Sequence, residues 1–200
     1  MISPSIVDFL TRGIQARGSA ILFVPNFQSV YALKRELAAY PSLRGGVVVV
    51  RVEDWLRERW GLWADRALAP ITSTVRVLTI RALLYESLDE SSEAKGDELT
   101  LSPNQGTIDL ISELVECVLP ELVAYVPGKE DTPSLAALVR FGARYQQAIH
   151  AEGRCELIET IPWLCESFTR TQLELPFCVA YGFCGMSQLE ASLFLSLIHI

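Results

Sequence analysis

Two short, uninterrupted apolar runs constrain this chain most: "AILFV", Ala20 to Val24, and the valines of "GGVVVVRV". A strand wetted on one face alternates apolar and polar residues. A run without alternation marks a strand covered on both faces, as in a parallel sheet. Between the two lies "SVYALKRELAAY", where Val30, Leu33 and Leu37 repeat at helical spacing and Ser29 is the candidate cap. Strand, helix, strand in that order is a βαβ unit, so the expected class is α/β.

The flanks extend this frame. Pro4 to Arg17 reads as a helix capped by Ser3, with Ile6, Phe9, Leu10 and Ile14 on one face and Gly18 as its stop. "VEDWLRERWGLW" places Trp55, Leu56, Trp60 and Trp63 near one helical face, the pattern of core packing. "STVRVLTIRALLYESL" is a further amphipathic helix whose repeat is Val75, Leu78, Ala82 and Tyr85. The acidic "DESSEAKGDE" is almost free of apolar residues and reads as a mobile linker.

Beyond it come helices alone: "QGTIDLISELVECVL", "SLAALVRFGARYQQAIHAEG" and "ELIETIPWLCESF", the last with Pro162 in its first turn or at a kink. A third strand, Phe177 to Tyr181, then returns, followed by a helix from near Ser187. The expected organisation is therefore residues 1–88 as the first part of the α/β domain and 89–104 as an acidic linker. Residues 105–172 form a helical insertion, and 173–200 return to the α/β domain.

Half of the residues are hydrophobic and the net charge is −7, so a sizeable core is expected and binding to nucleic acid through bulk charge is not. No apolar run reaches the roughly 18 residues that cross a bilayer. The opening "MISPSIVDFLTRG" does not carry the pattern of a secretory leader. The expectation is a cytoplasmic protein with no membrane partner. Its five cysteines, Cys117, Cys155, Cys165, Cys178 and Cys184, include no CxxC pair, and only His150 and His199 could join them at a metal. Reduced, mostly buried thiols and no metal site are expected.

The sequence carries no complete motif of nucleotide chemistry. In "GIQARGSA", Gly13 and Gly18 have the separation of a phosphate-binding loop, but Ser19 stands where lysine is required and the segment precedes a strand. "GKE" at Gly128 lacks the upstream glycine and the hydroxyl. At the end of the third strand, where a nucleotide hydrolase keeps its carboxylates, stand Tyr181, Gly182 and Phe183; the nearest acid, Glu190, is on the following helix. Asp8 and Asp54 have no partner legible in the sequence, and Ser187, Cys184 and His199 make no nucleophile arrangement. No catalytic residue and no cofactor are expected.

Four stretches together resemble the N-terminal region of AddB-type (RexB-like) helicase–nuclease subunits of bacterial double-strand-break repair. They are "AILFVPNFQSVYALKREL", "VVVVRVEDWLRERWG", "SLAALVRFGARYQQAIHAEGRCELIETIPWL" and "LPFCVAYGFCGMSQLEASLFLSL". Each motif is weak alone, and order and spacing carry the likeness. It implies a partial parallel-sheet, helicase-like (RecA-like) domain interrupted by a mainly helical insertion. It also implies DNA, single-stranded or as duplex ends, and a helicase–nuclease subunit as partners. The family's degenerate Gly-Phe ending matches Gly182-Phe183 and implies a relic of the Walker B position. The DNA contact falls on Pro25, Asn26, Gln28 and Ser29, with Lys34 and Arg35 a turn further on. An Asn and a Gln beside free N–H groups at a helix start can hold a phosphate; the plain alternative is an ordinary turn with Ser29 as cap.

The family's PD-(D/E)XK nuclease domain lies far beyond the matched region, and the chain stops within an apolar helix at "LSLIHI". The expectation is thus a truncated, non-catalytic fragment of a DNA recombination and repair exonuclease–helicase. The rival from another class is a helical protein-interaction module on a degenerate nucleotide-binding scaffold, with no DNA or ATP role. The acidic charge favours the rival.

Overall fold

The chain opens with α1 (Pro4–Arg17), β1 (Ala20–Val24), α2 (Phe27–Leu37), β2 (Val47–Arg51) and α3 (Val52–Trp63). The computed structural model describes residues 2–63, 68–93, 101–171 and 176–198. It divides into two units, one of Met1–Ala64 with Ile161–Ile200 and one of Asp65–Thr160.

In the first unit every residue of β1 is buried, as its unbroken apolarity predicts. Ala20, Leu22 and Val24 point into a core with Val7 and Leu10 of α1 and Val30, Leu33 and Leu37 of α2. Phe23 points the other way, with its ring centroid 5.3 Å from both Trp55 and Phe194. Trp55 in turn lies 5.8 Å from Phe168. The tryptophan face is therefore core, with Trp55, Leu56 and Trp60 buried; the side chain of Trp63 lies outside the described residues.

The third strand of this sheet is β5 (Phe177–Ala180), and the order β2-β1-β5 is parallel throughout. Phe177 packs so closely on α1 that a Cβ at Gly13 would lie 2.2 Å from its ring. Glycine at position 13 is what permits the approach. Gly18 ends α1 at φ 76°, with its N–H bonded to Ile14 O. Ser3 occupies the N-cap position of α1, but its hydroxyl bonds to Ser5 and caps nothing.

The second unit holds α4 (Ser73–Glu93), α5 (Gln105–Ala124) and α6 (Pro133–Ala151). A two-residue parallel pair, β3 (Ala69–Pro70) with β4 (Arg154–Cys155), joins its ends. Strand structure therefore occurs between β2 and β5, where helices alone were expected. α5 is broken at Val118, two residues before Pro120. α7 (Thr160–Thr171) carries Pro162 in its first turn and belongs, from Ile161 onward, to the first unit.

Two expectations for this region change. α4 runs through Glu93, so the start of the acidic stretch is helical, while residues 94–100 lie outside those described. And α4 buries Arg76, Ile80, Leu83 and Leu84, leaving Leu78 57% and Tyr85 54% exposed. The helix is apolar around most of its girth, so periodicity allowed two faces. A long-range ion pair selected between them. Arg76 is buried and bidentate to Glu156, with Nε to Oε1 and Nη2 to Oε2 both 2.8 Å, and its Nη1 reaches Glu116 at 2.9 Å. Tyr145 donates its hydroxyl to Glu156 Oε1 at 2.5 Å. Burial opposes the charge on Arg76, but the hydrogen bonds and charge of Glu156, with Glu116, hold its pKa above the usual arginine value.

Candidate functional site at the carboxyl edge of the sheet

Ligands of open parallel sheets bind beyond the carboxyl ends of the strands, where loops and helix starts converge. In the first unit that edge is built from the ends of β1, β2 and β5. β1 leaves the core at Val24 and passes through Pro25, Asn26, Phe27 and Gln28, all exposed, before Val30 is buried again. Asn26 is the cap of α2: its Oδ1 accepts from Ser29 N at 2.9 Å and from the Ser29 hydroxyl at 2.9 Å. Ser29 is thus the partner of the cap and not the cap. With Oδ1 so engaged, the carboxamide has only its Nδ2 donors left to offer a ligand.

The β5 end lies alongside. Tyr181 N donates to Phe23 O at 2.9 Å, which extends the ladder by one residue. Gly182 then turns with φ 78°, and a Cβ built on it would lie 4.0 Å from Pro25. The chain thereby brings the turn at 25–29 together with Tyr181 and Gly182. Phe183 goes to structure, its ring 5.7 Å from Phe194. Glu190 does likewise: its Oε2 accepts from Ser187 N at 2.9 Å while Ser187 Oγ accepts from Glu190 N at 3.1 Å. That reciprocal pair is a capping box at the start of α8 (Gln188–Ile198). No carboxylate therefore faces the end of β5 from these positions.

Three residues that the motifs did not single out complete the edge. Phe27 and Tyr31 are 55% and 61% exposed, with ring centroids 4.7 Å apart and planes at 81°. The Arg51 guanidinium, at the end of β2 beside Val24, lies 5.9 Å from the Phe27 centroid. Asp54, which had no legible partner, holds Arg51 bidentately, Nε to Oδ2 at 2.8 Å and Nη2 to Oδ1 at 2.7 Å, and Glu53 takes Nη1 at 3.1 Å. The Asp54 hydrogen bond, opposed by partial burial and helped by Glu53, raises the Arg51 pKa. Lys34 and Arg35 are exposed one helical turn beyond Tyr31. Since Val30, Leu33 and Leu37 were legible as the inward face, the outward stripe of Phe27, Tyr31, Lys34 and Arg35 was deducible from spacing.

At the Gly128 segment the backbone is already engaged. The Gly128 N–H donates to Asp131 Oδ2 at 2.7 Å, and the Tyr125 hydroxyl donates to the same oxygen at 2.8 Å. A carboxylate thus occupies the place a phosphate would need. No group of three His, Cys, Asp or Glu side chains converges among the described residues. His199 lies outside them. The thiols are less buried than expected: Cys155 is buried, Cys165 and Cys178 are partly so, and Cys117 and Cys184 are exposed. Burial pushes the Cys178 thiol up to about 11, and raises that of Cys165, so neither is a ready nucleophile. No helix among the described residues is long and apolar enough to cross a membrane. Comparison with protein-family models, with curated proteins and with solved structures finds no match to this chain.

Proposed function

We propose that the chain is a non-catalytic, DNA-contacting N-terminal region of a helicase–nuclease subunit that processes double-strand breaks for recombinational repair. Its parallel sheet with the flanking helices is read as a partial helicase-like (RecA-like) domain, and the helices within residues 105–172 as the insertion. The DNA role rests on one observation. The turn at Pro25, Asn26, Gln28 and Ser29 lies at the carboxyl edge of a parallel sheet and carries Phe27, which forms an exposed aromatic pair with Tyr31. Exposed rings stack on unpaired bases of any sequence, and the Asn26 amide and Gln28 offer donors to the backbone. The inert reading rests on Glu190, whose carboxylate closes a capping box and leaves the end of β5 without an acid to hold Mg²⁺ or activate water.

The test is ATP hydrolysis by the purified chain with and without single-stranded DNA. No hydrolysis above buffer is expected, and turnover abolished by Glu190→Gln would overturn the non-catalytic reading. The second reading, a helical protein-interaction module, is favoured by the exposed Leu78 and Tyr85 on the outer face of α4. A chain that binds no oligonucleotide at low salt would put that reading first.

A further inference from the structure

The edge described above carries a charge arrangement that an ordinary phosphate-binding surface does not. The Arg51 guanidinium lies 5.9 Å from the Phe27 ring centroid, yet each of its three nitrogens already donates to a carboxylate oxygen of Asp54 or Glu53. Guanidinium forks of this kind normally grip phosphates bidentately. Here the fork of Nε and Nη2 is filled by Asp54, while the central guanidinium carbon stays over the Phe27 ring. Further along α2, Lys34 and Arg35 follow Tyr31 on the same exposed face.

Resting on the DNA-contacting reading, we propose that Asp54, assisted by Glu53, is a specificity-determining clamp. It withholds Arg51 from the nucleic-acid backbone, so that the α2 face takes single-stranded nucleic acid mainly through its bases. Phe27 and Tyr31 supply the stacking faces. Arg51 supports Phe27 from the strand side, and Lys34 and Arg35 add a small phosphate component. A duplex, whose bases are stacked internally and which offers a protein mainly phosphates, gains little from such a face. Selection of unpaired strand over duplex is then set by the carboxylate on Arg51 and not by the number of basic residues. This fits a chain whose net charge is −7.

The experiment uses the whole 200-residue chain and a fluorescent oligo-dT of about 20 nucleotides, ample for the few-nucleotide footprint of such a face. Affinity is measured over a range of salt, with a duplex of equal length in parallel. For the wild type a shallow salt slope is expected, about 1.4 for two single-strand phosphate contacts at ~0.7 each. Asp54→Asn removes the negative charge and one of the two acceptor oxygens that hold the fork. It should steepen the slope by about 0.7 and tighten binding roughly threefold or more at low salt, with duplex gaining at least as much as single strand. Phe27→Ala should weaken single-strand binding about tenfold or more and leave the slope unchanged. Glu53→Gln, which removes the weaker partner, should move the slope in the same direction as Asp54→Asn and by less.

The outcomes separate. If the wild type binds but Asp54→Asn and Glu53→Gln leave both slope and duplex preference where they were, the clamp is overturned while the DNA reading stands. If the wild type binds no oligonucleotide at low salt, the DNA reading falls and takes the clamp with it. Circular dichroism of each variant confirms that a lost signal is lost binding and not lost fold.

Discussion

Arg76 in the second unit and Arg51 in the first are bonded in the same way. Each offers Nε and Nη2 to one carboxylate as a fork and Nη1 to a second carboxylate, Glu156 and Glu116 in one case, Asp54 and Glu53 in the other. What differs is the medium. The Arg76 and Glu156 side chains are 3% and 0% exposed, whereas Arg51 is 29% and Asp54 45% exposed. Removing one member of a buried pair leaves a charge in a low-dielectric interior that neither water nor a rotamer change can relieve. In the exposed pair, water takes over at once. One geometry therefore serves two purposes. In the interior it fixes which face of α4 is turned inward. At the sheet edge it sets how much positive charge is free.

The contrast can be broken most forcefully at Glu156. Glu156→Gln keeps the shape but leaves the Arg76 charge without its fork, and a loss of about 3–5 kcal/mol in urea unfolding is expected. A loss below about 1 kcal/mol would mean that Glu116 or water suffices, and the two sites would then be alike.

Tyr145 offers a sharper, pH-resolved version. Burial first, then the charge and hydrogen bond of Glu156, push its phenol well above the usual tyrosine value, against a smaller opposing pull from Arg76. A folded-state pKa raised in this way gives stability that is fully present below the unfolded value of about 10 and is lost as pH rises beyond it. The chain should therefore lose stability above about pH 10. Tyr145→Phe should cost roughly 1–2 kcal/mol at neutral pH and flatten part of that alkaline decline. An unchanged alkaline slope in the variant would remove Tyr145 from the account.

The smallest expected effect is the most telling for the comparison. Asp54→Asn repeats the carboxylate-to-amide change on the exposed fork and should alter stability by less than about 1 kcal/mol, while changing the salt dependence of binding. A stability loss as large as that of Glu156→Gln would make Arg51 a structural anchor, and the clamp would lose its basis.

Much of the candidate site was legible because it is local. An apolar strand followed by Pro25 and Asn26, with Val30, Leu33 and Leu37 inward, determines where the turn lies and which residues face out. The cap was misplaced by three residues, since Asn26 and Ser29 both carry cap chemistry and only the backbone path chooses between them. Phe27 and Tyr31 were readable as an outward pair once the inward face was set. Arg51 was not readable as their neighbour, because that adjacency depends on β2 lying beside β1 in register.

The amino-acid sequence alone determined the doubly buried β1, the helix stop at Gly18 and the tryptophan face of α3. Each follows from residues a few positions apart, where sterics and periodicity act directly. The tertiary structure decided which face of α4 is buried, that Glu190 spends its carboxylate on a cap, and that Gly13 must admit Phe177. It also decided that a charged residue, Arg76, sits in the core. The reason is distance along the chain. Arg76 and Glu156 are 80 residues apart, and a buried charge is tolerable only where folding delivers its partner to it.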